Sequence, residues 1–206
     1  MQGDNKRLDR RSVLKTIGAT AVVGTGLTTT TGTVVAESDR LARNYGNERR
    51  LRVAFEQHGE GVRQQLVDAG FVSKGFDFDE VSLGIDPDVT GLEPTAEDRL
   101  AGVTGTVEEG TVTALGMAST SSDTHDIGLY VQPERDEAYA LVEPKNGDKR
   151  FIVTDSGVTP QGCSYTSCVE ECCSENYKKQ NTYNCDQNCT DCYVYSTDCA
   201  CSDDVC

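Results

Sequence analysis

Ten cysteines occur in this 206-residue chain, and all of them fall between Cys163 and Cys206. The segment they occupy has only Val169, Val194, Ala200 and Val205 as aliphatic residues. Ordering a residue costs roughly 1 to 2 kcal/mol, and so few aliphatic side chains cannot offset that over the whole segment. Crosslinks must therefore hold it. An even number of cysteines favours five disulfides among Cys163, Cys168, Cys172, Cys173, Cys185, Cys189, Cys192, Cys199, Cys201 and Cys206. Spacing does not choose the pairing, although the adjacent Cys172 and Cys173 must find different partners. A zinc or copper thiolate cluster is the competing use, since Cys189-x-x-Cys192 and Cys199-x-Cys201 are spacings such clusters employ. The segment has no histidine and no pair of CxxC motifs at zinc-ribbon separation, so no metal and no cofactor is expected.

The other end of the chain reads as an export address. Asp9-Arg10-Arg11-Ser12-Val13-Leu14-Lys15 resembles the twin-arginine motif, with Arg10 and Arg11 as its core. A short apolar stretch, Ile17 to Leu27, follows and leads into Val34-Val35-Ala36, which suits signal-peptidase cleavage after Ala36. That stretch is about half the roughly 20 residues a membrane-spanning helix needs, so no transmembrane segment is expected. The implied partners are a twin-arginine translocase and a signal peptidase, and the implied location is extracellular.

The formal net charge is −15, and the first 36 residues carry five basic and two acidic residues, leaving −18 on the exported part. Scarce lysine and abundant Asp and Glu resemble the proteome of an extremely halophilic archaeon. Such acidity excludes duplex nucleic acid as a partner, because binding phosphates requires a basic surface.

Between address and cysteines, Leu51, Phe55, Val62, Leu66 and Ala69 share one helical stripe, interrupted at Gly59 and Gly61 and stopped at Gly70. From 76 to 154 the pattern turns to short strand-forming runs: Thr111 to Gly116, Ile127 to Gln132, Ala138 to Glu143 and Arg150 to Thr154. Asn146-Gly147 supplies the sharpest hairpin turn, and Asp86 to Asp98 reads as an ordered loop. The expected fold is α+β, with N-terminal helices and a small antiparallel β-meander, followed by a disulfide-rich, core-poor C-terminal peptide. Its parts are a signal peptide at 1–36, an α+β pro or immunity-like domain at 37–154, a flexible processing joint at 155–162 and the cysteine-rich peptide at 163–206. His58 and His125 stand alone in polar contexts, and no nucleophile elbow or phosphate loop occurs, so no catalytic residue and no enzyme activity is expected. Asn188-Cys189-Thr190 matches the glycosylation acceptor pattern.

This organisation resembles the precursors of halocin C8-type antimicrobial peptides of haloarchaea, on Arg10 and Arg11, the cysteine-free middle and the ten-cysteine end beginning at Gly162-Cys163-Ser164. The resemblance implies a released bacteriocin acting on competing cells, cut free by a processing protease. The segment here is polar and acidic, whereas the family's mature peptide is rich in apolar residues. Two other readings stay open: an exported binding or structural protein whose stapled end is never released, and a thiolate metal-binding surface protein.

Overall fold

The computed structural model describes residues 31–81, 83–85, 101–108, 110–147, 149–174 and 176–202. Arg10, Arg11, Cys206 and the whole of the expected loop at 86–98 lie outside them. Three helices come first: α1 (Thr31–Tyr45), α2 (Glu48–His58) and α3 (Glu60–Asp68). Asn47 starts α2 by accepting hydrogen bonds from the backbone N–H groups of Arg49 (3.0 Å) and Arg50 (3.4 Å), the usual service of an N-cap. Gly59 separates α2 from α3 because a Cβ there would meet the Phe55 carbonyl at 2.6 Å and the Phe78 ring at 2.7 Å. Gly70, at φ +74°, ends the helical layer. Leu51, Phe55, Val62 and Leu66 are buried as their spacing predicts, while Ala69 is exposed.

Eight strands then form one antiparallel sheet in sequence order: β1 (Ala101–Glu108), β2 (Thr111–Ser121), β3 (His125–Gln132), β4 (Glu137–Pro144), β5 (Phe151–Thr154), β6 (Gly157–Ser174), β7 (Tyr177–Asp186) and β8 (Cys192–Ser202). Side chains alternate across a strand, and here the two faces differ in chemistry. One face presents Ala118, Ile127, Leu129, Val131, Ala140, Val142 and Val153 to Leu51, Phe55, Val62, Leu66 and Phe78 of the helical layer. The other presents Leu115, Met117, Tyr130, Tyr139, Leu141 and Ile152, and it is covered by Val194, Tyr183, Tyr193 and Tyr195 of β7 and β8.

The cysteine-bearing strands thus curl over the meander and close its second face, giving a nearly closed, barrel-like sheet. Side chains tie the closing seam: Asn181 of β7 accepts from the Thr106 hydroxyl of β1 at 2.9 Å and from Thr197 of β8 at 2.9 Å. This overturns the expected α+β fold with a small meander and a separate core-poor peptide. Strands dominate the chain, and the C-terminal segment contributes three of the eight. The physical reason is that its missing core is supplied from outside the segment. Val194 is fully buried, and its carbonyl accepts a hydrogen bond from the Tyr139 hydroxyl of β4.

β1 escaped the sequence reading because Ala-Gly-Val-Thr-Gly-Thr-Val-Glu carries little bulk. Small residues are required there by close packing. A Cβ on Gly105 would lie 2.4 Å from the Ser38 backbone carbonyl oxygen, so α1 crosses β1 almost in backbone contact.

Candidate functional site

The cysteines are the feature the sequence singled out, and the structure places the described ones along β6, β7, β8 and the turn between β7 and β8. Cys163 pairs with Cys189, Cys168 with Cys201, Cys173 with Cys199 and Cys185 with Cys192. Cys172 is also disulfide-bonded. Every described cysteine is therefore a disulfide half, and none is left as a thiolate for metal.

These bridges do two different jobs. Cys185 and Cys192 face each other across the β7–β8 ladder with Cα atoms 4.0 Å apart, so that bridge only locks a hairpin. Cys168–Cys201 and Cys173–Cys199 join β6 to β8, which are not neighbours in the sheet. Two strands flanking a third in a flat sheet sit roughly 9 to 10 Å apart. Here their Cα separations are 5.9 and 5.8 Å, so the bridges fold β6 and β8 towards each other around β7. Register shifts between Cys168 and Cys172 and between Lys178 and Lys179 provide the bends this needs.

Where the stapled strands meet the rest of the molecule, a buried ion pair forms. The Glu171 carboxylate of β6, 1% exposed, accepts from the Ser38 hydroxyl of α1 at 3.2 Å and pairs with Lys179 of β7 at 2.9 Å. Lys179 also donates to the Gly105 carbonyl of β1. Burial pushes the Glu171 carboxyl above the ordinary carboxylate range, with Lys179 and Ser38 pulling the other way. No local spacing announces this cluster, since Ser38 and Glu171 are 133 residues apart.

The segment expected as a flexible joint, 155–162, is built into the sheet. Asp155 and Ser156 form a two-residue turn between Thr154 and Gly157, and Gly157 to Pro160 pair with β5. Gly162 lies so close to the next turn that a Cβ there would meet the Gln187 Cα at 2.4 Å. Beyond it, Asn188 and Cys189 sit in the tight β7–β8 turn. Asp186 holds that turn by accepting from the Thr190 N–H at 2.7 Å and from its hydroxyl. Those hydrogen bonds, the Thr190 N–H first, hold the Asp186 carboxyl below its usual range.

Ala36, the expected cleavage residue, is an exposed position within α1, and Ser38 and Leu41 beyond it are buried. Neither histidine is isolated. His58 Nδ1 lies 2.6 Å from the Asp136 carboxylate, 78 residues away, and the His125 ring packs edge-on against Phe71 at 4.9 Å. Among the described residues no helix is long and apolar enough to cross a membrane, and no group of three or more His, Cys, Asp or Glu is arranged to hold a metal. The disulfides fit an oxidising, extracellular environment. Compared with known proteins, the chain matches no family model, no curated protein and no solved structure.

Proposed function

We propose that this chain is an exported binding or structural protein that acts in one piece, with the cysteine-rich strands as its permanent stapled wall. The observation that carries this reading is the shared core: Val194 of β8 is buried among Tyr139, Leu115 and Ile152 of the meander. Release of residues 163–206 would break the continuous β6 strand, the Tyr139–Val194 hydrogen bond and the Glu171–Ser38 contact together. It would also expose the tyrosine face of β2 to β5, and the freed segment would regain the core deficit its composition implies.

Export through the twin-arginine route fits the same reading. That route carries folded cargo, and cutting after Ala36 leaves Ser38 and Leu41 in place on the sheet. The halocin-like alternative requires a protease to reach a joint that is hydrogen-bonded as a hairpin, and accessible, unpaired backbone is what proteases need.

Mass spectrometry of the producing culture's supernatant, without reduction, tests the proposal. The expected species is one intact chain beginning at Glu37. A dominant fragment beginning near Gly162, with or without activity against neighbouring strains, overturns it.

A further inference from the structure

Most arginines among the described residues are neutralised locally. Among the described residues Arg40, Arg43, Arg52, Arg63, Arg135 and Arg150 each pair with a carboxylate. Arg49 and Arg50 make no such pair, and both line the same cleft on the helical layer, about 500 Å³ in volume. Among the described residues lining it there is no Asp or Glu. On a protein of net charge −15, a cleft that gathers the two guanidinium groups without an ion-pair partner, with its nearby carboxylates Glu134 and Asp136 engaged by Tyr45 and His58, is a local reversal of sign.

The cleft also has shape and preorganisation. The Nη1 of Arg50 donates to the Asn44 backbone carbonyl at 2.8 Å and to its side-chain oxygen at 2.6 Å. Those two bonds fix the planar group and leave its other N–H donors free, the arrangement that binds an oxyanion in a two-pronged fashion. Val53, 40% exposed and one of the few large apolar side chains on the surface, lies in the same cleft beside Tyr45 and Pro133. His58 stands at its end, with its Nδ1 occupied by Asp136. Binding clefts combine this kind of apolar floor with a few convergent polar groups, in volumes of about 300 to 1,000 Å³.

We propose that this cleft binds a small organic anion, a carboxylate or phosphate group carried on an apolar or aromatic body, with Arg49 and Arg50 gripping the oxyanion and Val53 contacting the body. The site shares no residue with the stapled strands, so it stands or falls independently of how the chain is processed. Titration calorimetry on the intact, oxidised protein tests it with benzoate, phenyl phosphate, inorganic phosphate and benzyl alcohol as probes. Benzoate or phenyl phosphate should bind, the stronger of the two identifying the headgroup, and benzyl alcohol should not. The double variant Arg49→Gln/Arg50→Gln should weaken binding at least tenfold. Val53→Glu, which places a carboxylate in the cleft without touching the arginines, should abolish it. Arg63→Gln, which removes a paired arginine elsewhere on the helical layer, should leave it unchanged. Failure of both organic anions to bind, equal binding of benzyl alcohol, or an equal loss in Arg63→Gln overturns the proposal. Binding of inorganic phosphate as tightly as phenyl phosphate overturns the role given to Val53.

Discussion

The two faces of the same sheet are held by different physics. On the helix-facing side, Leu51, Phe55, Val62 and Leu66 meet a field of Ile, Leu, Val and Ala, and burial of apolar area supplies the stability. On the other side, β6 to β8 bring one buried aliphatic side chain, Val194, along with tyrosines, a buried ion pair and the disulfides. The backbone ladder runs through both, regular from β1 to β6 and broken by register shifts only within the stapled strands. A strand can therefore be cheap in hydrophobic residues if the unfolded chain is restrained and a neighbouring face lends its core. The lesson is that crosslinks and core are alternatives within one sheet, apportioned strand by strand.

Removing crosslinks should have the largest effect, and the comparison predicts an order among them. In the chain-entropy account a bridge stabilises more as its loop lengthens. Cys168–Cys201 spans 33 residues and Cys185–Cys192 only 7. The Cys168→Ala/Cys201→Ala pair should lose about 3 to 4 kcal/mol and the Cys185→Ala/Cys192→Ala pair roughly 2 kcal/mol, read from denaturant midpoints of the otherwise oxidised protein. A reversed order would mean that β6 and β8 stay together without their staples, and the contrast between the two faces would fail.

The aliphatic face should respond to truncation as the stapled face does not. Leu51 is fully buried, with its Cδ1 against Gly116 of β2, so Leu51→Ala should cost about 2 to 5 kcal/mol. Val169 in β6 is only half-buried, and Val169→Ala should cost less than about 1 kcal/mol. Equal losses in chemical denaturation would show that the stapled strands depend on packing after all. Between the faces stands Tyr139, whose hydroxyl reaches the Val194 carbonyl. Tyr139→Phe should cost about 0.5 to 1.5 kcal/mol, and it should raise amide hydrogen exchange in β8 more than in β2.

How much of this was legible follows the same division. The stripe of Leu51, Phe55, Val62 and Leu66 announced α2 and α3 because helical periodicity is a property of apolar spacing, and those residues are apolar. Runs such as Ile127 to Gln132 announced β3 for the corresponding reason. β6 to β8 gave no such signal, because Tyr183 and Val194 are set among polar residues and cysteines and pack against a core made elsewhere. The need for disulfides was readable from composition alone. Their pairing was not, since Cys168 and Cys201 meet only after three strands have bent around one another. The arginine cleft left a faint trace: neither Arg49 nor Arg50 has an acidic residue three or four positions away on its helix, whereas Arg52 has Glu48 and Arg63 has Glu60. The missing partner, rather than the charge, was the signal.

The smallest predicted effect is the most specific test of how the two regions join. Glu171 titrates above the ordinary 4.5 in the folded protein because it is buried, so the native state holds its proton more tightly than the unfolded chain does. Stability from this group is therefore complete below pH 4.5 and declines as pH rises through the raised value. Asp186 contributes with the opposite sign and in a different window. Its carboxyl is held below the ordinary 3.8, so its contribution is lost only as pH falls beneath that. A fall in stability above pH 4.5 that disappears in Glu171→Gln, while the acid-side loss persists, assigns the slope to the β6–α1 contact. Below pH 4.5, where the parent's Glu171 is neutral as well, the variant should come closest to the parent in stability. Replacing both, as Glu171→Gln/Lys179→Met, should keep the flat profile, since neither replacement titrates. If the slope survives in Glu171→Gln, another group titrates in that window and the Glu171–Ser38 contact between β6 and α1 is not its source.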